Sequence, residues 1–296
     1  MMVTDRSAGT PWDEAWAAFL RDGKSVSTRE TYRSCGVKID RFRAERGIER
    51  PDDFTDALLG EFLEQFAVVT TKWTYDKVLR AFFRWGLRND WRHQSLKSKR
   101  VTVTELDEPL DSVDRERLEA AIRLASPRDR ALLTVTFYTA ARASEVRNAK
   151  LADWHRSEHT MLLEQTKTGR RREIPLPENA AREINRYIDR VRPVTRQPWL
   201  FVTRRKDGDD YGQLTKSGMA SVFRRLREEM GVPTGQFSAQ LLRRGRATEL
   251  AAATRDTHHL MRLGGWRDPR SLRRYLAQSL EQDKALIEQI ERDRDQ

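Results

Sequence analysis

The sequence is poor in the residues that build covalent and metal-bound scaffolds, with one cysteine and five histidines in 296 residues. A single thiol excludes an intramolecular disulfide and a zinc ribbon, and Tyr32 and Ile39 stand at helical spacing from Cys35, which reads it as a small core residue. A reducing cytoplasm fits this usage. No apolar run approaches the ~20 residues needed to cross a bilayer, so no membrane role is implied. Asp5, Arg6, Asp13 and Glu14 interrupt the first stretch where a signal peptide would need its apolar segment.

What the chain has in excess is positive charge. Lys and Arg number 56 against 45 Asp and Glu, a net charge of +11. The excess lies in both halves, so both parts can meet a polyanion. Hydrophobic residues make up 38% of the chain, enough to fill the core of one large or two ordinary domains, although 34% is charged. Arginine-rich composition alone also describes a protein with solvated ion-pair faces, so the motifs must decide.

The first hundred residues read as helices only. Ser27-Thr28-Arg29-Glu30 has the form of a capping box, followed on one face by Tyr32, Cys35, Ile39 and Phe42. Leu58, Leu59, Phe62, Leu63 and Phe66 form a second stripe, and Val78, Leu79, Phe82, Phe83 and Trp85 a third. Trp12, Trp16 and Phe19 mark a short helix at the start. Four short helices would make a compact bundle, and aromatic residues at spacings of three and four read as core, not as a base-stacking surface. From Leu96 to Ser112 periodicity is lost and the chain reads as an extended linker. Beyond it, helices are expected near 114–124 and 128–139, strands at Met161–Glu164 and Glu173–Leu176, and a brief strand at Phe201-Val202 before a turn at Lys206–Gly212. From Ser217 to Gln289 the chain looks helical, broken by Pro233, Gly264-Gly265 and Pro269.

Four pieces of the second half each set a cation or a nucleophile beside a structural break. They are Thr139-Ala140-Ala141-Arg142-Ala143-Ser144-Glu145, the hairpin tip Thr166-Lys167-Thr168-Gly169-Arg170-Arg171-Arg172, Gln240-Leu241-Leu242-Arg243-Arg244, and Leu263-Gly264-Gly265-Trp266 with Tyr275 nine residues after the tryptophan. Taken singly, each has an ordinary reading as a cap, a solvated turn or packing.

Their order and spacing resemble the tyrosine recombinase, or phage integrase, family. The family pattern Gly-x-Arg-x-Ser-Glu, a hairpin lysine before Val-Pro-Leu, His-x-x-Arg-His, Gly-Gly-Trp and a tyrosine nine residues on corresponds to Arg142 and Glu145, Lys167 before Ile174-Pro175-Leu176, Gln240, Arg243 and Arg244, Gly265-Trp266 and Tyr275. Five of six catalytic positions match. The Gly-Gly-Trp form is similar to that of the two-domain, Cre- and Xer-like members. Leu79–Trp85 resembles their last core-binding helix and Glu108-Pro109-Leu110 the approach to their catalytic domain.

The resemblance implies a mainly α fold with a small antiparallel β-sheet. Residues 1–99 would be a helical SAM-like core-binding domain, 100–107 a linker, and 108–296 a mixed α/β catalytic domain ending in a tail helix. With the first helix starting near Pro11, no additional arm-binding domain is expected. The resemblance implies a site-specific recombinase that cleaves and rejoins DNA through a 3′-phosphotyrosyl link and a Holliday junction. Tyr275 would be the nucleophile, Arg142 and Arg243 the phosphate clamp, Lys167 the general acid and Trp266 a phosphate-holding indole, with Glu145 and Arg244 in support. No cofactor or metal is expected, because guanidiniums can clamp the extra negative charge of the transition state themselves. The expected partners are double-stranded DNA with short inverted-repeat core sites, three further copies in a tetramer joined by exchange of the tail helix (Leu280, Leu286, Ile287, Ile290), and an accessory directionality protein. The setting would be a bacterial or phage-encoded protein of the cytoplasm, associated with the nucleoid. Gln240, where the family has histidine, and Arg244, where a second histidine is common, depart from the pattern. Two other readings therefore stand beside it: a DNA-binding protein of the same fold that no longer cuts, and a relaxing topoisomerase with the same nucleophile.

Overall fold

The computed structural model describes residues 11–102, 115–164, 170–205, 210–254, 256–266, 268–272, 275, 287–288 and 292. The chain separates into two compact units, Met1–Leu106 and Asp107–Gln296, each with its own core.

The first unit consists of α1 (Trp12–Arg21), α2 (Val26–Glu45), α3 (Asp56–Glu64) and α4 (Val69–Arg88). Ser25 and Thr55, both in extended conformation, start α2 and α3 by accepting the amides of Thr28 and Leu58. The capping box expected at Ser27 is therefore two residues too late: Ser25 is the cap, and Ser27 lies inside the helix. Two of the four helices, α2 and α4, run 20 residues and are not short. The aromatic stripes interlock, with the Phe82 ring 5.0 Å from Trp16, 5.2 Å from Trp12 and 5.3 Å from Phe19, so they are the core. Trp73 is the exception, exposed on α4 with the Lys77 ammonium 4.7 Å over its ring.

Polar contacts hold the chain after α4 back onto this unit. Asp56 accepts the amides of Lys97 and Ser98. Buried Asp76 accepts from Arg80 Nε at 2.7 Å and from the Val101 amide at 3.2 Å, while Arg80 also donates to the Ser98 and Lys99 carbonyls. Leu96 and Val101 pack against the aromatic core, so 96–101 is docked chain, and 103–114 lie outside the described residues.

The second unit is mainly α with small antiparallel sheets. Its order is α5 (Arg115–Leu124), α6 (Pro127–Tyr138), α7 (Ala143–Asn148), β1 (Trp154–His155), β2 (Thr160–Glu164), β3 (Arg171–Pro175), α8 (Glu178–Arg190), β4 (Val202–Arg204), β5 (Tyr211–Gln213), α9 (Lys216–Met230), α10 (Ala239–Ala253) and α11 (Thr257–Gly264). Helix α6 is buried almost all round through Ala131, Leu132, Leu133, Val135 and Phe137, which makes it the centre of the core, with α8 and α10 packed on it. Strands β1, β2 and β3 form one antiparallel sheet with Met161 opposite Ile174 and Leu163 opposite Arg172. A second two-stranded sheet pairs β4 with β5; the latter falls at the end of the segment that reads as a turn in the sequence. Among the described residues no helix is long and apolar enough to cross a membrane.

Candidate active site

The site grows from the break between α6 and α7. Ala140 there has a φ of +48°, the left-handed region, and is buried. This is the position at which the sequence pattern calls for glycine, and a Cβ in that region is strained by about 1 kcal/mol. Ala140→Gly is therefore expected to raise stability by up to about 1 kcal/mol, as read by urea unfolding. The strained turn aims the Ala140 carbonyl at Arg243, whose guanidinium donates to it from α10.

Arg142 caps α7, and Glu145, one turn on, reaches back to it. Glu145 Oε2 accepts the Arg142 amide at 3.0 Å and Oε1 accepts from the Arg142 guanidinium at 2.9 Å. The carboxylate is buried while the Arg142 side chain is about half exposed, 48%, so one end of the pair is fixed and the other faces outward. Burial alone would raise the Glu145 pKa, but the hydrogen bond and charge of Arg172, then those of Arg142, bring it below the usual carboxylate value.

Ser238 caps α10 by accepting the Leu241 amide, and the helix turns Leu241, Leu242, Arg243, Gly245 and Ala247 inward. Arg243 is 8% exposed. Its pKa is pushed down to about 10, first by burial and then by repulsion from Arg142, against the pull of Glu145 and of the Tyr275 phenol. The guanidinium lies 4.7 Å from the Trp266 ring, which in turn lies 5.7 Å from the Tyr275 ring. Gly264 and Gly265 make this possible. A Cβ on Gly264 would fall 1.7 Å from the Trp266 ring, and Gly265 ends α11 with a φ of +64°. Trp266 and Tyr275 are both half-buried.

The structure thus brings Arg142, Glu145, Arg243, Trp266 and Tyr275 together from α7, α10 and the chain after α11. Gln240 starts the same helix as Arg243 but is exposed, and Arg244 is half-buried; among the described residues neither side chain bonds to the cluster. Lys167 lies outside the described residues. Arg172, which reads in the sequence as one of a solvated arginine run, belongs here instead: it is buried and donates to Glu145 Oε2 at 2.8 Å. The signal was available in the strand alternation, which turns position 172 to the same face as Ile174.

Metal-capable donors meet elsewhere, on the outer side of the sheet, where His155, Glu158 and Glu173 lie close together. Glu173 Oε1 is already paired, 2.7 Å from His155 Nδ1 and accepting from Thr160 at 2.6 Å. His258 and His259 are exposed, with their amides capped by Asp256. A cleft of about 360 Å³ lined by Lys150, Asp153, Glu164, Arg171 and Trp199 contains none of the clustered residues.

The model of the phage integrase family matches residues 109–282, more than half of the chain. The chain belongs to the phage integrase family. It is a tyrosine-type site-specific recombinase. This integrase is 26% identical over 282 residues to tyrosine recombinase XerC 2 of Ralstonia nicotianae, covering 87% of this chain and 79% of that protein. Among solved structures, the XerH recombinase in a post-cleavage complex with a palindromic difH substrate aligns with a TM-score of 0.68 at 17% identity, over 89% of this chain and 80% of that one. The Tn1549 transposon integrase in complex with transposon right end DNA aligns with a TM-score of 0.69 at 15% identity, over 94% and 98%. At such identities the likeness shows the fold: helices with a small antiparallel sheet, as the sequence pattern implied.

Proposed function

We propose that this integrase cleaves and rejoins double-stranded DNA at short inverted-repeat core sites through a 3′-phosphotyrosyl link, passing through a Holliday junction. The observation that carries the reading is the gathering of Arg142 and Arg243 around one carboxylate, with Trp266 and Tyr275 beside them. Arg142, Arg172 and Arg243 place three cations against the single negative charge of Glu145, and burial, then repulsion from Arg142, makes Arg243 hold its proton less tightly, so the cluster has room for a further anion. A phosphodiester supplies that anion, and its transition state supplies more charge still.

In this reading the Tyr275 oxygen attacks the scissile phosphorus, the phosphorus–O5′ bond breaks, and the strand end is held on the tyrosine. Lys167 donates the proton to the leaving 5′ oxygen, and the tyrosine proton passes to solvent water, because the Gln240 amide accepts no proton near neutral pH. The 5′ hydroxyl of another strand reverses the step without an external energy source, because the phosphoester bond is conserved. Trp266 holds the phosphate side of the nucleophile, and Glu145 orients Arg142. Residues 1–99 act as the core-binding domain and 108–296 as the catalytic domain, with four copies joined by their tails. Ile287, 60% exposed, suits such an exchange. Leu280, Leu286 and Ile290 lie outside the described residues. In the first unit a basic cleft lined by Trp73, Lys77, Arg84 and Arg100 suits a phosphate backbone.

The test uses nicked duplexes from DNA adjoining the gene, so that the short cleaved strand diffuses away. A denaturing gel should show a protein adduct on the 3′ side of the break, with a free 5′ hydroxyl on the released strand. Tight, salt-dependent binding of every duplex with no adduct from any would instead favour the non-cutting reading that Gln240 suggests. The departure at Gln240 is expected to slow the chemistry, not end it. Gln240→His should raise the single-turnover rate, by roughly 10-fold or more if a proton acceptor is then supplied.

A further inference from the structure

We propose that Arg172 is a positioning residue of the cleavage reaction, a buried guanidinium that holds the Arg142 clamp and the helix leading to Trp266 in one geometry. The proposal rests on the cleavage chemistry proposed above. Its basis is the place of Arg172 in β3. The residue stands opposite Leu163 on the inward face, with Ile174 two residues on, where alternation calls for an apolar side chain. A methionine or leucine would fill such a place without desolvating a charge.

The guanidinium is spent on two named partners. Its Nη2 donates to Glu145 Oε2 at 2.8 Å, and its Nε donates to the Leu263 carbonyl at 3.1 Å, while Nη1 is buried and meets no acceptor among the described residues. Each bond reaches a different part of the cluster. Glu145 is the residue that pins Arg142, and it sits deep enough to need a counter-charge on its buried side; Arg142, half exposed, cannot be both counter-charge and clamp. Without Arg172, the carboxylate either takes up a proton or draws the Arg142 guanidinium inward, and both movements displace the clamp. Leu263 lies in the last turn of α11, whose carbonyls have no partner within the helix. Fixing that turn fixes the start of Gly264-Gly265-Trp266, and Trp266 covers Arg243. One side chain therefore ties β3 to the supports of both arginines.

The experiment compares the parent with Arg172→Lys and Glu145→Gln in single-turnover adduct formation at saturating DNA. Two duplexes are used, one with the natural scissile phosphodiester and one with a methylphosphonate, which carries no negative charge there. Arg172→Lys keeps the charge but cannot reach both partners. It is expected to slow adduct formation on the phosphodiester roughly 100-fold, with DNA affinity and its salt dependence unchanged, and to slow it far less on the methylphosphonate, where Arg142 has no charge to hold. Glu145→Gln, which keeps the shape and an acceptor for the Arg142 amide, should show the same selectivity for the charged linkage and serves if the lysine variant does not fold. Equal slowing on both linkages, or slowing that follows loss of DNA binding and of thermal stability, would make Arg172 a structural residue only. An unchanged rate would remove it from the reaction altogether. If the parent itself forms no adduct, it is the proposed cleavage chemistry that fails, not the role of Arg172 within it.

Discussion

Replacing Tyr275 with phenylalanine is expected to abolish the protein–DNA adduct while DNA affinity and its salt dependence stay as in the parent. The substitution removes one oxygen and keeps the ring that lies 5.7 Å from Trp266. Tyr275 is half-buried, so the stability of the second unit should change by no more than about 1 kcal/mol. The chemistry has no such tolerance. A covalent intermediate needs its nucleophile, and loss of the nucleophile in an otherwise intact site lowers the rate by roughly 10⁴-fold or more. Single-turnover assays with nicked duplex, read beside a binding isotherm at two salt concentrations, separate the two effects. An adduct that persists in the phenylalanine variant would move the nucleophile elsewhere.

The second large effect is expected at Arg243. Arg243→Met keeps the volume and stays over Trp266 but removes a guanidinium from the charge that develops at phosphorus. The expected loss in adduct rate is about 10²- to 10³-fold, the effect of removing one preorganised donor from a transition state. Stability should move differently. The fall of the Arg243 pKa from the ordinary arginine value to about 10 corresponds to roughly 3 kcal/mol by which folding disfavours the charged side chain. The folded-state value is the lower one for this base, so the unfolded chain binds more protons between about pH 10 and the ordinary arginine pKa, and the penalty is present in full below that window and lifts as pH rises through it. The methionine variant escapes the penalty but strands the Ala140 carbonyl. At pH 7 it is expected to unfold at no lower urea concentration than the parent, and any advantage should shrink above pH 10. A variant that loses both stability and activity by several kcal/mol would show that Arg243 is held for the fold.

These two results bear on how much could be read from the chain alone. The helices α1 to α4 were legible because their apolar stripes repeat at three and four, and the β2–β3 hairpin because its buried positions alternate. What could not be read has local causes. Ser25 takes the cap of α2 ahead of Ser27 because its own backbone is extended and its oxygen meets the Thr28 amide. Strand β5, only Tyr211-Gly212-Gln213, is too short to carry a period. Arg142, Arg243, Trp266 and Tyr275 were legible as a spaced set, although nothing in the spacing says that Arg243 would be the buried arginine and Arg142 the half-exposed one. Arg172 was hidden by its neighbours. Within Arg170-Arg171-Arg172 composition reads as a solvated turn, and only pairing with Leu163 turns the third arginine inward to Glu145. Ala140 was hidden because alanine rarely adopts a positive φ, and the surrounding contacts impose it here.

The central claim, that a phosphate held by the arginine cluster is passed to Tyr275, is tested most directly by locating the covalent bond. The adduct trapped on a nicked duplex would be digested with nuclease and protease and the modified peptide sequenced by mass spectrometry. The account predicts a nucleotide remnant joined through its 3′ phosphate to Tyr275. A remnant on another residue, or one joined through a 5′ phosphate, would contradict it.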